Sequence, residues 1–359
     1  MKPIKIAMLS LNNGHAVGYI SMLRKHPDFE WVAVSVAPED RARAFLDWVP
    51  SGVKIYETDR ELLDAHPDIE AVIVASANYQ HFEQFRLCAE RGVHMFSMKI
   101  PMFNMEEYTE IQQLIKEKHL TFQIELELRF HSTIRRMREL YDSGAIGKLV
   151  SMQMYNQTIC IISSLPWVAN PEQSYGKRVA LREGDSRCRG GALADHPHLF
   201  DLARYFSDSE FDRVFAEVAP NLRQNMKVED NITIIGQMKN GVIVSIDPSY
   251  SRHENPLKLN GPGWEGYPKR VEVNLILNGE RGSILGDCFH SGIYHTGLPE
   301  KHYAVRYTRL DAEGLVLSEF ASSIRNKTIP TVNIDMHRKT IEAMNACYDS
   351  VAIGRAVYL

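Results

Sequence analysis

An acid and an imidazole lie three residues apart directly after a glycine pair, at Asp195 and His198. Pro197 suits the first turn of a helix because its missing N–H would have no helical partner there. The spacing therefore predicts a helix that starts here, runs to Phe206 and carries the acid and the imidazole on neighbouring sides of its first turn. A carboxylate that holds an imidazole is a working general base. The alternative is that Asp195 merely caps the helix.

The first third of the chain predicts the elements that would position such a site. Short apolar runs such as Ile4–Leu11 and Ile69–Ala75 are typical of strands buried on both faces, and they alternate with segments of helical spacing. This alternation predicts a Rossmann-type, doubly wound α/β domain over residues 1–123. Ligands of such sheets bind beyond the carboxyl ends of the strands.

The remainder of the chain, 124–359, has a different pattern. Longer segments of alternating polarity follow one another, and Asn240-Gly241 joins two of them with a hairpin signal. We therefore predict a second, α+β domain with a large, mostly antiparallel sheet.

Composition argues against several classes of protein. A net charge of −4 over 359 residues does not indicate a nucleic-acid or anionic-membrane surface. No apolar run approaches the roughly 18–20 residues that span a bilayer, and Met1–Ala7 enters a strand with no signal-peptide pattern. The five scattered cysteines form no C-x-x-C pair, which argues against structural zinc and a disulfide framework. We expect a cytoplasmic protein with no nucleic-acid or membrane partner.

Several short segments match motifs of one protein family in the order in which that family carries them. The matching segments are Ser76–His81 (T-P-N-x-x-H), Ser143–Val150 (S-G-x-I-G-x-[LI]), Val228–Asn231, Ser249–Arg252, Ile324–Pro330 and Ser350–Arg355. With these motifs the chain resembles, over essentially its whole length, the Gfo/Idh/MocA family of oxidoreductases, as a divergent member.

The resemblance implies a chemistry. Members typically oxidise a secondary hydroxyl of a sugar, polyol or glycoside, with the hydride passing to a nicotinamide held by the first domain. By resemblance, Lys99 corresponds to the lysine of the family's E-K-P motif, and Asp195 and His198 to its D-x-x-x-H pair. A base must reach the hydroxyl proton, and a lysine beside the same oxygen stabilises the developing alkoxide.

The resemblance also implies the partners of the chain. The cofactor would be NAD or NADP, and the substrate a small carbohydrate or glycoside. A homodimer or homotetramer would form through the sheet of the second domain.

The glycine fingerprint of the family, G-x-G-x-x-G/A, is altered in this chain. Its glycines would fall near positions 10, 12 and 15, where the chain has Ser10, Asn12 and His15, with Gly14 close by. Glycines there permit a tight turn and close approach to the diphosphate. Because Ser and Asn are small and Asn tolerates left-handed conformations, a phosphate could still lie on the helix N-terminus.

The acid expected after the second strand is missing as well. Val36 stands where Asp or Glu would bind the ribose 2′-hydroxyl. Ser35 and Arg41 lie nearby and could favour a 2′-phosphate, hence NADP. The alternative is that Arg41 is an exposed helix residue.

Two further departures affect the catalytic residues. The E-K-P motif has become Met98-Lys99-Ile100, so the lysine is retained without its acidic neighbour. The acid–imidazole spacing is one residue shorter than usual, so either His196 or His198 could be the working imidazole. We prefer His198 because, with Asp201, it preserves the family's H-x-x-D.

These considerations define the predicted site. Predicted cofactor-binding residues are Ser10, Asn12, Asn13, Gly14, His15, Ser35, Arg41, Ser76, Asn78, His81 and Lys99. Predicted substrate-binding residues are Lys99, Arg129, Tyr155, Trp167, Asp195 and His198. We expect His81 to orient backbone rather than do chemistry. We predict no metal site, although Cys288, His290 and His295 offer potential ligands.

Two other functions remain open. One is a glycoside-processing enzyme that recycles a tightly bound NAD in each turnover. The other is a non-catalytic sensor that has lost cofactor binding, which the altered fingerprint suggests. Retention of Lys99, Asp195 and His198 argues against the sensor.

Overall fold

The computed structural model describes residues 2–13, 15–40, 45–159, 191–222, 228–252, 271–288, 292–296, 301–304 and 309–359. Contacts divide these residues into two compact units. The first contains the described residues of 2–127 and 309–338, and the second those of 128–308 and 339–359. The predicted boundary after residue 123 stays a prediction.

The first unit is built on a parallel sheet with strand order β3-β2-β1-β4-β5-β6. Its strands are β1 Ile4–Leu9, β2 Phe29–Ser35, β3 Lys54–Tyr56, β4 Ala71–Val74, β5 His94–Ser97 and β6 Phe122–Ile124. Its helices are α1 Ala16–Leu23, α2 Asp59–Ala65, α3 Asn78–Glu90, α4 Met105–Glu117 and α8 Arg309–Asn326. The central strands β1 and β4 are buried except at the partly exposed Lys5, because helices cover both faces of such a sheet. The predicted doubly wound α/β fold is confirmed.

Aromatic packing anchors α8 in the core of the first unit. The Phe320 ring lies 6.2 Å from Phe29 and 5.7 Å from Phe96, centroid to centroid. These distances are typical of favourable aromatic pairs. A helix far along the chain therefore belongs to the core of the N-terminal sheet.

The described strands of the second unit form a sheet in the order β14-β13-β12-β11-β7-β10-β9-β8-β15. They are β7 Leu149–Ile159, β8 Phe211–Val218, β9 Ile232–Met238, β10 Ile243–Arg252, β11 Val271–Gly279, β12 Gly282–Asp287, β13 Gly292–His295, β14 Lys301–Ala304 and β15 Val357–Tyr358. The helices are α5 Ser132–Asp142, α6 Ala192–Asp195, α7 Pro197–Ser207 and α9 Ile334–Ile353. Only the β7–β10 pair of these described strands is parallel. The predicted α+β domain with a large, mostly antiparallel sheet is confirmed, and Gly241 turns the predicted β9–β10 hairpin at φ 91°.

The two faces of this sheet differ in exposure. Val244 and Ile246 are fully buried on one face, whereas Ile235 and Ile243 on the other are 54% and 42% exposed. The predicted dimer or tetramer would cover the exposed face, and this stays a prediction.

The described residues contain no helix that is both long and apolar enough to cross a membrane. Cys88, Cys288 and Cys347 are buried free thiols, and burial raises the pKa of each of them. They are therefore poor nucleophiles and poor metal ligands.

Candidate functional site

The loop after β1 keeps a tight turn without the fingerprint glycines. Ser10 adopts φ 67°, a left-handed conformation that favours glycine, and its N–H donates to the Ser35 carbonyl at 3.0 Å. The Ser10 hydroxyl accepts from the Asn12 N–H at 3.2 Å. Asn13 Oδ1 accepts from the His15 N–H at 2.9 Å. Side-chain hydrogen bonds thus stabilise a turn that glycines would otherwise permit.

His15, which precedes α1, contacts an acid that directly follows β6. Its Nδ1 lies 2.6 Å from Glu125 Oε1, and the Glu125 side chain is fully buried. Glu127 is also buried, and ligand atoms of these three residues lie within 4.8 Å of one another. Sequence reasoning missed both glutamates, although two acids directly after a buried strand were the available signal.

A carboxylate also lies at the end of β2, where the sequence lacks the expected acid. The hydroxyl of Ser35 donates to Asp59 Oδ1, and Gln84 Nε2 donates to Asp59 Oδ2 at 2.9 Å. Ser76 Oγ in turn donates to Gln84 Oε1 at 2.6 Å. Asp59 therefore puts negative charge beside the predicted cofactor residues Ser35 and Ser76. Arg41, the cation proposed for a 2′-phosphate, lies outside the described residues.

The His81 imidazole contacts backbone carbonyls in both of the segments that follow β4 and β5. Its Nε2 lies 3.2 Å from the Ser76 carbonyl, and its Nδ1 lies 3.0 Å and 3.2 Å from the carbonyls of Ile100 and Pro101. Burial lowers the pKa of His81 to about 4, so the imidazole is neutral near pH 7. Such a residue positions backbone around Lys99, which is itself 7% exposed.

Buried acceptor atoms in the first unit fit a dinucleotide. Asn12 Oδ1, Asn78 Oδ1 and Gln80 Oε1 are buried and have no hydrogen-bond partner among the described residues. Buried polar atoms normally find a partner, and the ribose hydroxyls and carboxamide of NAD are donors of the required kind. Asn12 follows β1, and Asn78 and Gln80 lie in the first turn of α3, after β4. These residues thus follow the carboxyl ends of strands, where such sheets bind nucleotides.

Asp195 and His198 are not in the same helical turn, so the predicted geometry is wrong. Asp195 is the last residue of α6, and α7 begins at Pro197. His196 lies between them with φ −120° and ψ 49°, a non-helical conformation, and its side chain makes no capping hydrogen bond to α7. The physical reason is that the chain breaks at His196, whose ring packs edge-on against Tyr250 at 5.8 Å.

The start of α6 is set by Glu229. The Glu229 carbonyl accepts from the Ala192 N–H at 2.9 Å, and its Oε1 accepts from the Leu193 N–H at 3.2 Å. Tyr348 donates its hydroxyl proton to the same Oε1 at 3.1 Å. This buried residue satisfies helix N–H groups that would otherwise lack partners and so positions α6, which ends at Asp195.

Arg129 and Tyr155, both predicted to bind substrate, make defined contacts within the second unit. Arg129 Nε and Nη2 donate to the two carboxylate oxygens of Asp201 at 2.6 Å and 2.8 Å, a bidentate pair. The Tyr155 hydroxyl accepts from Asn274 Nδ2 at 2.7 Å on the partly exposed face of the sheet. Their substrate roles stay predictions.

Two of the other predicted residues, Trp167 and Gly14, lie outside the described residues. Gly14 belongs to the predicted cofactor set and Trp167 to the predicted substrate set.

Asn156 and Thr158 are polar residues that sequence reasoning missed. They lie on the buried face of β7, the strand against which α7 packs, and are 6% and 7% exposed. Asn156 Oδ1 and Thr158 Oγ1 have no hydrogen-bond partner among the described residues. They continue the two-residue spacing of the buried Met152 and Met154, and this was the available signal. A polar side chain on a buried face costs free energy unless it has a hydrogen-bond partner.

Comparison with known protein families identifies the family of this chain. Residues 4–126 match a family described as an oxidoreductase family with an NAD-binding Rossmann fold. Residues 134–285 match the GFO/IDH/MocA C-terminal domain. The chain belongs to the Gfo/Idh/MocA family. The predicted family, enzyme class and nicotinamide-dinucleotide cofactor are confirmed at this level.

Other family members show the range of activities. A myo-inositol 2-dehydrogenase of Thermotoga maritima is 26% identical over 71% of this chain and 67% of its own length. A 2,7-anhydro-N-acetylneuraminate hydratase of Mediterraneibacter gnavus is 33% identical over 42% of this chain and 36% of its own. The crystal structure of an inositol dehydrogenase homolog from Azotobacter vinelandii, complexed with NADH and myo-inositol, aligns with a TM-score of 0.80. That alignment covers all of this chain and 98% of the other at 15% identity, so it supports the fold.

Proposed function

We propose that this protein is an NAD-dependent dehydrogenase of a secondary hydroxyl on a sugar, polyol or glycoside. The observation that carries the proposal is the burial of four polar side chains in the second unit, those of Asp195, His198, Asn156 and Thr158. The acceptor atoms of Asn156 and Thr158 lack partners among the described residues. A polyhydroxylated substrate supplies the donors that such atoms require.

Proton handling follows from these residues. A bound nicotinamide supplies the hydride acceptor for the carbinol carbon. In the proposal, His198 takes the hydroxyl proton as general base, with Asp195 as the carboxylate that orients its imidazole. In the first unit, the Lys99 ammonium is proposed to stabilise negative charge that develops during the reaction. Lys99 is buried at the end of β5, where its charge would be little screened by water.

The surroundings of Ser35 favour NAD over NADP. Ser35 donates its hydroxyl proton to Asp59, and a carboxylate near the adenosine ribose repels a 2′-phosphate. Asp59 thereby serves in place of the acid missing at Val36. The sequence left NAD and NADP open, with Ser35 and Arg41 as residues that could favour the 2′-phosphate of NADP.

The first test is direct. Denaturation of the purified protein followed by mass spectrometry identifies any nucleotide retained, and calorimetric titrations give the dissociation constants of NAD and NADP. NADH formation is then assayed with myo-inositol and a panel of sugars. We expect NAD to bind more tightly than NADP, and at least one polyol or sugar to be oxidised. A folded protein that binds neither nucleotide would contradict the proposal.

Lys99→Ala tests the catalytic assignment. We expect kcat to fall about 10²- to 10⁴-fold, with the dissociation constant of NAD nearly unchanged. Lys118→Ala, at an exposed lysine after α4, is the matched control. Undiminished turnover in Lys99→Ala would contradict the assignment.

The Mediterraneibacter gnavus relative, a hydratase by name, favours a second candidate. In that reading the same residues perform a transient oxidation that enables elimination or hydration of a glycoside. Such an enzyme would copurify with NAD and convert its substrate without accumulating NADH. Product analysis alongside the NADH assay separates the two candidates.

A further inference from the structure

Three side chains of types that bind metal ions meet in the first unit. His15, Glu125 and Glu127 each offer one ligand atom, and these atoms lie within 4.8 Å of one another. Zinc binds imidazole nitrogen and carboxylate oxygen at about 2.0–2.2 Å, so its ligand atoms lie within about 4.4 Å of each other. Small side-chain rotations would therefore place all three atoms on one ion.

Burial favours the binding of a cation by the carboxylates of this cluster. Glu125 is fully buried and Glu127 is 7% exposed, and two ionised carboxylates so placed repel each other and lose hydration. A divalent cation attracts both carboxylates and accepts the lone pair of a neutral His15 imidazole. The His15 side chain is 24% exposed, which leaves the ion a route from solvent.

The three residues follow β1 and β6, two strands of the same sheet. His15 lies in the hydrogen-bonded loop after β1, directly before α1. The Glu125 N–H donates to the Ser97 carbonyl at 2.9 Å, and Glu127 opens a short 3-10 turn. Ligands held by rigid elements lose little freedom on binding.

We propose that His15, Glu125 and Glu127 bind a divalent metal ion. One imidazole and two carboxylates suit Zn²⁺ or Mn²⁺. The site shares the Ser10–His15 loop with the proposed diphosphate-binding residues. The ion therefore offsets the repulsion between two carboxylates and the diphosphate, so that NAD binding becomes metal-dependent. The metal site itself stands apart from the proposed function, and only this coupling rests on it.

Metal titration of the whole protein tests the site. Chelator-treated protein is titrated with MnCl₂ and, separately, ZnCl₂ by calorimetry, and metal retained after dialysis is measured by mass spectrometry. We expect one ion per chain, and at least tenfold weaker binding in Glu125→Gln and Glu127→Gln. Glu110→Gln, at an exposed glutamate on α4, should bind metal like the wild type.

Two results would overturn the metal site. One is a folded wild-type protein, verified by circular dichroism, that binds neither ion. The other is a folded Glu127→Gln variant with wild-type metal affinity. Should Glu125→Gln fail to fold, the wild-type and Glu127→Gln titrations still decide.

An NAD titration with and without metal separates this inference from the proposed function. We expect NAD to bind at least tenfold more tightly with the metal present, and equal affinities would overturn the coupling. Metal binding without any NAD binding would support the site and contradict the dehydrogenase. NAD binding in a protein that takes up no metal would contradict the metal site and support the proposed dehydrogenase.

Discussion

Gly191 lies so close to Glu229 that a β-carbon on it would come within 2.5 Å of the Glu229 carbonyl oxygen. The same carbonyl accepts the first N–H of α6, from Ala192. The missing side chain at Gly191 therefore permits the contact that starts α6. Because α6 ends at Asp195, this contact sets the position of the proposed orienting carboxylate.

Replacing Gly191 with alanine should disturb both stability and activity. The clash is with backbone, which moves less readily than a side chain, so we expect Gly191→Ala to lower the free energy of unfolding by about 1–3 kcal/mol. Urea unfolding measures this change. Gly52→Ala is the control, because its β-carbon would meet nothing within 4 Å. Equal stability of the two variants would show that the approach of Glu229 is not required.

Substitutions of His196 and His198 should have different effects, one mainly on stability and the other on activity. We expect His198→Asn to lower kcat/KM about 10²- to 10⁴-fold. His196→Asn should mainly lower the melting temperature, since its ring packs against Tyr250. Activity profiles and thermal melts of both variants check this. The opposite pattern would identify His196 as the working imidazole.

Asp59→Asn should relax the choice of cofactor. Removing the carboxylate removes the repulsion of a 2′-phosphate, so we expect the ratio of NADP to NAD dissociation constants to fall at least tenfold, about 1.4 kcal/mol. Calorimetric titration gives both constants. Asp64→Asn, an exposed acid on the same helix, should leave the ratio unchanged. An unchanged ratio in Asp59→Asn would mean that Asp59 does not discriminate between the 2′-hydroxyl of NAD and the 2′-phosphate of NADP.

Stability should depend on pH through His81. Burial lowers the pKa of His81 from 6.5 to about 4, so between these values the unfolded state binds the extra proton. The free energy of unfolding is therefore unaffected by His81 above pH 6.5. It decreases as the pH falls toward 4, by roughly 3 kcal/mol at most.

Urea unfolding across this range should show the loss, and His81→Asn should flatten the slope. His119→Asn, at an exposed histidine, provides the matched control. A slope in His81→Asn equal to that of the wild type would assign the pH dependence to other groups.

The fold class could be predicted because period and apolar content are local properties. Ile4–Leu9 and Ala71–Val74 are buried strands where apolar runs predicted them, and Asn240-Gly241 turns the hairpin that its type requires. The assignment of α8 to the first unit was not predictable in the same way. It depends on Phe320 packing against Phe29 and Phe96, which are distant in sequence.

By itself, the sequence determined the two architectures, the family and a short set of candidate residues that includes Lys99, Asp195 and His198. Tertiary structure decided the polar contacts around them. Glu125 reaches His15 across 110 positions, and Asp59 reaches Ser35 across 24. Secondary structure follows from neighbours along the chain, whereas the charge around a side chain follows from groups that only folding brings near. No spacing rule could have placed these carboxylates, and they now determine the expected cofactor and metal preferences.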